Sequence, residues 1–369
     1  MSSVEKQCSL TAQPQAEGGG GRQKSKSLSV LLISCLLGAA SLSLAAPEQD
    51  DRRSRQLLRD TDFANGFGIG GFAGVDMRPL RPSPIPDDDK PKYWTFGEGA
   101  HRNFTDEAGH HVKTLYEHLL IANRVIDVNR SDCLTFSQYN NYGLSADDPA
   151  RNTRLVKRVQ TDRKGDIRLY YNTKNEIRNV ATAYGAKFLN DLWPHLILWQ
   201  HLEEPVKMAA YRRIDCDFTV TVLKQSVLSD WLPSREMNVK INFWLVDERR
   251  PKPRSLWVGL MLHSTNPRLY REHIGREQHG DVTYRDTITR YGPPLTIGES
   301  RKVSVELRKL ILQAICRFDD VKANLSRDPD AYSLRDINCG FEGLGHWETE
   351  IRLAGLSLRG YRLGTGRAK

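Results

Sequence analysis

The spacing of apolar positions changes along this chain, and each change marks an element. Over residues 105–126, Val112, Leu115, Leu119, Ala122, Val125 and Ile126 recur every three or four positions, as on one face of a helix. Asp106 and Glu107 fall in the first turn, where the helix dipole favours acids. The spacing predicts an amphipathic helix of about five turns. From Cys133 onward the period shortens to two. Residues 167–171 alternate and residues 196–199 form a compact apolar run. Phe218, Val220 and Val222 share a face opposite Asp217, Thr219 and Thr221. Val239, Ile241, Phe243 and Leu245 alternate with Lys240, Asn242 and Trp244, which turns Trp244 away from the core face. A second apolar run at 256–263 follows the polar ERRPKPRS, the pattern of a hairpin with a long basic loop. Ile351, Leu353, Leu356 and Leu358 mark strand residues interrupted by Gly355, a predicted bulge. One helix breaks the β-pattern, where Leu307, Leu310, Ile311, Ala314, Ile315 and Phe318 return to helical spacing.

About eight to ten strands with little helix suit two packed sheets. The expected fold is mainly β, a two-sheet β-sandwich of jelly-roll type over residues 133–363. A helical segment at 93–132 precedes it. Residues 46–92 hold charged, glycine-rich and proline–aspartate stretches without apolar period, and read as a disordered linker. The GxGxxG spacing at Gly66 to Gly71 has no predicted strand before it, so it reads as linker rather than phosphate loop.

Export changes this picture most. Residues 28–46 are apolar and uncharged, with Arg22, Lys24 and Lys26 before them and small residues at their end. This is the layout of a secretory signal, with cleavage after Ala45, and makes residues 1–45 a leader and signal peptide. The expected location is secreted or cell envelope, periplasmic or extracellular. Two alternatives stay open: an uncleaved N-terminal anchor, and lipidation at Cys35. With cleavage, no stable membrane span remains.

The whole chain carries a net charge of +9. Four basic and two acidic side chains precede residue 46, so the exported part keeps +7. Export argues against nucleic acid and leaves a solvated surface or attraction to an anionic polysaccharide. Cys133, Cys216, Cys316 and Cys339 remain after cleavage. They are disulfide candidates whose pairing sequence does not rank, with buried thiols as the alternative.

Candidate chemistry is scattered. The segment Asp127-Val-Asn129-Arg-Ser131-Asp-Cys-Leu-Thr135 follows the predicted helix and places oxygen side chains like an EF-hand loop. It lacks the turn glycine and the bidentate glutamate, so Asp127, Asn129, Ser131 and Thr135 form a degenerate calcium set. A helix end followed by strands, with a hairpin turn at residues 163–166, is the competing reading. Calcium is the one cofactor considered, and none is otherwise implied. His110, His111 and His118 lie on the predicted helix and read as its polar face. No nucleophile elbow, HExxH or P-loop occurs. His195, His263, Asp215 and Asp217 are acid–base candidates by residue type alone.

The tryptophans carry the functional hint. Trp199, Trp244, Trp257 and Trp347 fall in the β-rich region. Exposed indoles stack on the apolar face of sugar rings while neighbouring polar groups bond the hydroxyls. The leading expectation is an exported carbohydrate-binding protein whose partner is a polysaccharide, an anionic one included, or a cell-surface glycan, with enzymatic activity left open. The alternatives are a secreted carbohydrate-active enzyme, glycoside hydrolase or polysaccharide lyase, on the same fold, and a calcium-dependent structural or adhesion protein.

Overall fold

In the computed structural model, the residues described are 54–70, 78–79, 93–99, 124–130, 133–139, 155–162, 164–175, 195–227, 236–249, 253–276, 281–344 and 347–363. They form a two-sheet β-sandwich of jelly-roll type. The first sheet has eight strands. In spatial order they are β15 (Ser300–Glu306), β10 (Tyr211–Val227), β17 (Trp347–Arg362), β8 (Asp166–Asn172), β7 (Leu155–Thr161), β6 (Cys133–Tyr139) and β5 (Arg124–Arg130), with β1 (Ser54–Gln56) also paired to β17. The second has nine: β13 (His273–Arg276), β14 (Val282–Thr287), β12 (Ser255–Ser264), β11 (Glu236–Asp247), β16 (Tyr332–Leu344), β9 (His195–Lys207), β4 (Trp94–Gly99), β2 (Phe67–Gly70) and β3 (Arg78–Pro79).

Alternation decides which face of each strand enters the core. On β10, Ile214, Cys216, Phe218, Val220 and Val222 are buried; on β11, Met237, Val239, Ile241, Phe243 and Leu245 are. The ERRPKPRS loop joins β11 to β12 as an antiparallel hairpin with Trp244 opposite Trp257. On β17 the buried positions run Ile351, Leu353, then Leu356 and Leu358, a change of parity that would turn half the strand inside out. Gly355 absorbs the extra residue. Its φ is +63°, and the register with β10 shifts between Thr219–Ala354 and Asp217–Ser357. This is the bulge that the sequence predicts.

The predicted C-terminal helix is α1 (Leu307–Cys316). The Glu306 carboxylate caps it, accepting from the backbone N–H groups of Arg308 and Lys309 at 3.0 and 3.2 Å. Leu307, Leu310, Ile311, Ala314 and Ile315 form its buried face, and Phe318 continues that face as a buried side chain just past the helix end.

Three expectations are corrected. The predicted helix lies largely outside the described residues, as do His110, His111 and His118, but its last positions, 124–126, belong to strand β5. The calcium loop is instead a β-hairpin: β5 and β6 pair antiparallel, with Asp127 opposite Thr135 and Arg130 opposite Cys133. Backbone pairing takes the place of the helix–loop turn that an EF-hand needs. Part of the expected linker is also structured. β1 pairs with β17, and β2 with β4. Leu58, Phe63 and Phe67 are buried, with the Phe63 ring 5.4 Å from that of Trp94. The indole of Trp94 donates to the Asp60 carbonyl at 2.9 Å. Leu58, Phe63 and Phe67 are isolated apolar residues in a polar stretch and give no period, yet each is buried.

Phe63 is fully buried, so Phe63→Ala should lower unfolding free energy by about 3–5 kcal/mol. Chemical denaturation of the full-length chain checks this. A change below about 0.5 kcal/mol would return the segment to linker status.

Candidate functional site

The face of the nine-stranded sheet turned away from the eight-stranded sheet carries a dense aromatic and polar cluster. Strand register lines its residues up in levels. Across one level, Thr283, Trp257, Trp244, Asp336 and His201 are successive partners on β14, β12, β11, β16 and β9. Across the next come Arg285, Gly259, Asn242, Asn338, Trp199 and Thr95. Directly opposed residues have Cβ atoms about 4.5–5.5 Å apart, so the side chains of a level touch.

The indoles of Trp244 and Trp257 stack, with centroids 5.6 Å apart and planes at 12°. Trp199 meets Trp257 edge-on at 5.9 Å and 84°. All three are half-buried. Between them the Asn242 amide donates to the Asn338 amide oxygen at 3.0 Å. Gly259 leaves room for this arrangement, since a Cβ there would lie 2.2 Å from Asn242 Oδ1. Lys240 and Glu342 form an ion pair between the following levels.

Asp336 sits beneath this surface, fully buried. One carboxylate oxygen bonds Nδ1 of His201, and the Trp199 indole is a further donor to the carboxylate. Among the described residues the other oxygen has no hydrogen-bond partner, nor has the buried Trp244 indole nitrogen. Burial raises the Asp336 pKa despite these donors, because removal from water penalises the charged form. The His201 side chain remains 62% exposed. A buried carboxylate thus orients an exposed imidazole next to an aromatic platform. Beyond His201, the β9 bulge opens a pocket of about 390 Å³, walled also by Arg55, Leu57, Arg59 and Arg362.

Three of the four nominated tryptophans, Trp199, Trp244 and Trp257, therefore converge on one surface. Trp347 does not. It is 2% exposed, meets Tyr171 edge-on at 5.1 Å and packs against Phe341 between the sheets. The acid–base candidates do not assemble. Asp215 and Asp217 lie on the far face of the eight-stranded sheet, opposite buried Cys216, and Asp215 is held by Arg213 at 2.6 and 2.8 Å. His195 stands at the start of β9, opposite Glu342 and buried. His263 pairs with core residue Val239 and bonds Gln225 on the other sheet. The Tyr270 hydroxyl accepts from the Ser264 N–H at 2.8 Å and donates to His263 Nδ1 at 3.2 Å. The ring is therefore a neutral, fully bonded core histidine.

Cys216 and Cys339 are buried free thiols, correcting their place among the disulfide candidates, whereas Cys316 is disulfide-bonded. They face each other across the core, and burial raises both thiols, Cys339 to about 12. The side chain of Cys133 lies outside the described residues. Among the described residues no cluster of His, Cys, Asp and Glu is placed to hold a metal.

Asp336, His201, Asn242 and Asn338 were not singled out from the sequence. The signal was present in YSLRDINCGFEGL, residues 332–344, where Asp336, Asn338 and Glu342 alternate with Ile337, Cys339 and Phe341.

No protein-family model matches this chain, and no curated protein matches it. Solved structures similar to it include a meso-active thermo-stable cellulase derived from the Cel12A cellulase of Rhodothermus marinus, 12% identical over 64% of this chain and 98% of that one, with a TM-score of 0.34. A metagenome-derived glycoside hydrolase family 12 endoglucanase is 12% identical over 64% and 96%, with a TM-score of 0.33. The family 11 xylanase from Neocallimastix patriciarum is 9% identical over 64% and 94%, with a TM-score of 0.29. At these scores the likeness carries no functional argument.

Burial lowers the pKa of His263 from 6.5 to about 4. The unfolded chain binds this proton first as pH falls, so the stability it contributes is complete above pH 6.5 and is lost toward pH 4. The expected loss is about 3 kcal/mol. Melting temperature against pH should fall through this window and flatten in His263→Gln. An unchanged slope in the variant would assign the loss to other groups.

Proposed function

We propose that this is a polysaccharide-binding protein, and that the outer face of its nine-stranded sheet is the binding surface. The observation that carries the reading is the convergence of Trp199, Trp244 and Trp257 there, from three separate strands. An indole offers a flat apolar surface to the C–H face of a sugar ring. The Asn242–Asn338 amides, Arg285 and His201 stand beside the rings at neighbouring register positions and supply donors and acceptors for hydroxyl groups. Asp336 and Trp244 add one acceptor and one donor that are unsatisfied among the described residues, on adjacent strands. The proposal includes export through the signal at residues 28–46, which brings the protein to extracellular or envelope glycans.

A second reading, a carbohydrate-active enzyme on the same face, is favoured by the His201–Asp336 pair alone. A carboxylate that fixes one ring nitrogen leaves the other free to move a proton. Glu342, on the same strand, does not make a glycosidase pair with Asp336. Glu342 is six residues along the same strand, about 20 Å away, beyond the separation that either stereochemical course uses.

Trp244→Ala and Trp257→Ala should each weaken binding to a responsive polysaccharide by about tenfold or more, with melting temperature lowered only a few degrees, because each ring is already partly exposed. Affinity electrophoresis over a polysaccharide panel, with thermal unfolding of the same samples, measures both. Unfolding of the variants without a binding deficit would make the rings structural. Appearance of shortened or unsaturated products, abolished by His201→Ala, would favour the enzyme.

A further inference from the structure

The aromatic level ends on His201, and His201 also lines the pocket of about 390 Å³ beyond it. Four parts of the chain make that pocket: β1 with the segment following it, the bulge of β9, the turn from Ala210 into β10, and the end of β17. Its walls are fixed from below. The buried Gln200 amide accepts from the Arg59 N–H at 2.8 Å and donates to the Arg59 carbonyl at 2.9 Å. Gln56 Oε1 accepts from the N–H groups of Leu57 and Leu358 at 3.1 and 3.0 Å, which ties the segment to β17.

The charges in the pocket are unbalanced. Four cations, Arg55, Arg59, Lys207 and Arg362, line it with two carboxylates, Glu203 and Glu204. Arg59 is paired with Glu203 at 3.4 Å. Among the described residues Arg55, Lys207 and Arg362 make no ion pair, which leaves three cations facing Glu204. Guanidinium groups match the planar or tetrahedral oxygens of carboxylates and sulfates.

We infer that this pocket is a subsite for an anionic substituent, a carboxylate or a sulfate ester, on a polysaccharide whose adjoining rings lie along Trp257 and Trp244. The inference rests on the binding surface proposed above. From Trp257 to His201 the level crosses four neighbouring strands, about 14 Å at the strand spacing. One chain can therefore contact the indoles and reach the pocket. The pocket selects for charge, and the indoles hold the sugar rings whatever their charge.

Two polymer pairs that differ only in charge test this on the full-length protein: polygalacturonate against its methyl ester, and dextran sulfate against dextran. The charged member of at least one pair should bind about tenfold tighter, and which pair responds identifies carboxylate or sulfate. Arg55→Ala combined with Arg362→Ala should remove that difference while binding of the neutral member persists. Lys302→Ala, exposed on edge strand β15 of the other sheet, should leave it intact, which separates the pocket from general attraction to a basic chain. Trp257→Ala should weaken both members of a pair equally. Equal binding within both pairs, or a charge preference that survives the double variant, overturns the pocket assignment. A preference lost in the double variant, with binding of neither member weakened by Trp257→Ala, keeps the anion site and overturns the aromatic surface. No binding to any of the four polymers overturns both.

Discussion

The passage of the chain from one sheet to the other at Trp347 is the constraint on which the rest of this structure depends. Strand β16 is central in the nine-stranded sheet, β17 is central in the eight-stranded one, and they follow each other in sequence. Trp347 opens β17 and is buried against Tyr171 and Phe341, one ring from each sheet. The backbone at this corner is fixed as well: the Trp347 N–H donates to Thr173 Oγ1 at 2.8 Å, and that hydroxyl donates back to the Trp347 carbonyl at 3.1 Å. A large aromatic buries some 150–250 Å², and here that area clamps two central strands at once. Every neighbouring strand takes its register from one of the two.

That clamp also places the candidate site. Because side chains alternate across a strand, locking Ile337, Cys339 and Phe341 into the core turns Asp336, Asn338 and Glu342 to the opposite face. A slip of one residue would bury the site and expose the core. The same logic holds for Trp244 on β11 and Trp199 on β9. The candidate surface is thus the reverse side of the core packing, and it needs no loop to position it. Its polar groups are themselves sheltered. Asp336 tolerates full burial because His201 and Trp199 bond it, and the carboxylate in turn holds the exposed imidazole in one orientation.

Much of the fold was legible along the chain because period two is a local property. Hairpin β11–β12, helix α1 and the bulge at Gly355 could all be read from a dozen residues each. Failures fell where the deciding contact is distant in sequence. Phe63 and Phe67 lie in a polar stretch, and only Trp94 and the edge of the nine-stranded sheet give them a place to be buried. Asp127 to Thr135 has the oxygen spacing of a calcium loop, but pairing of β5 with β6 and of β6 with β7 determines its backbone. Cys216 and Cys339 were two of four disulfide candidates whose pairing the sequence did not rank, and the core holds both as thiols.

The sequence by itself determined the class of fold, the outward direction of Trp244 and the inward direction of its neighbours, since each follows from alternation along one strand. It could not tell Trp347 from Trp257, because only the packing of one sheet on the other makes the first a core residue. Nor could it join Trp199, Trp244, Trp257, Asp336 and His201, which come from four strands separated by up to 137 positions. Their meeting is a matter of strand order and register, and those are decided by which faces can be buried together.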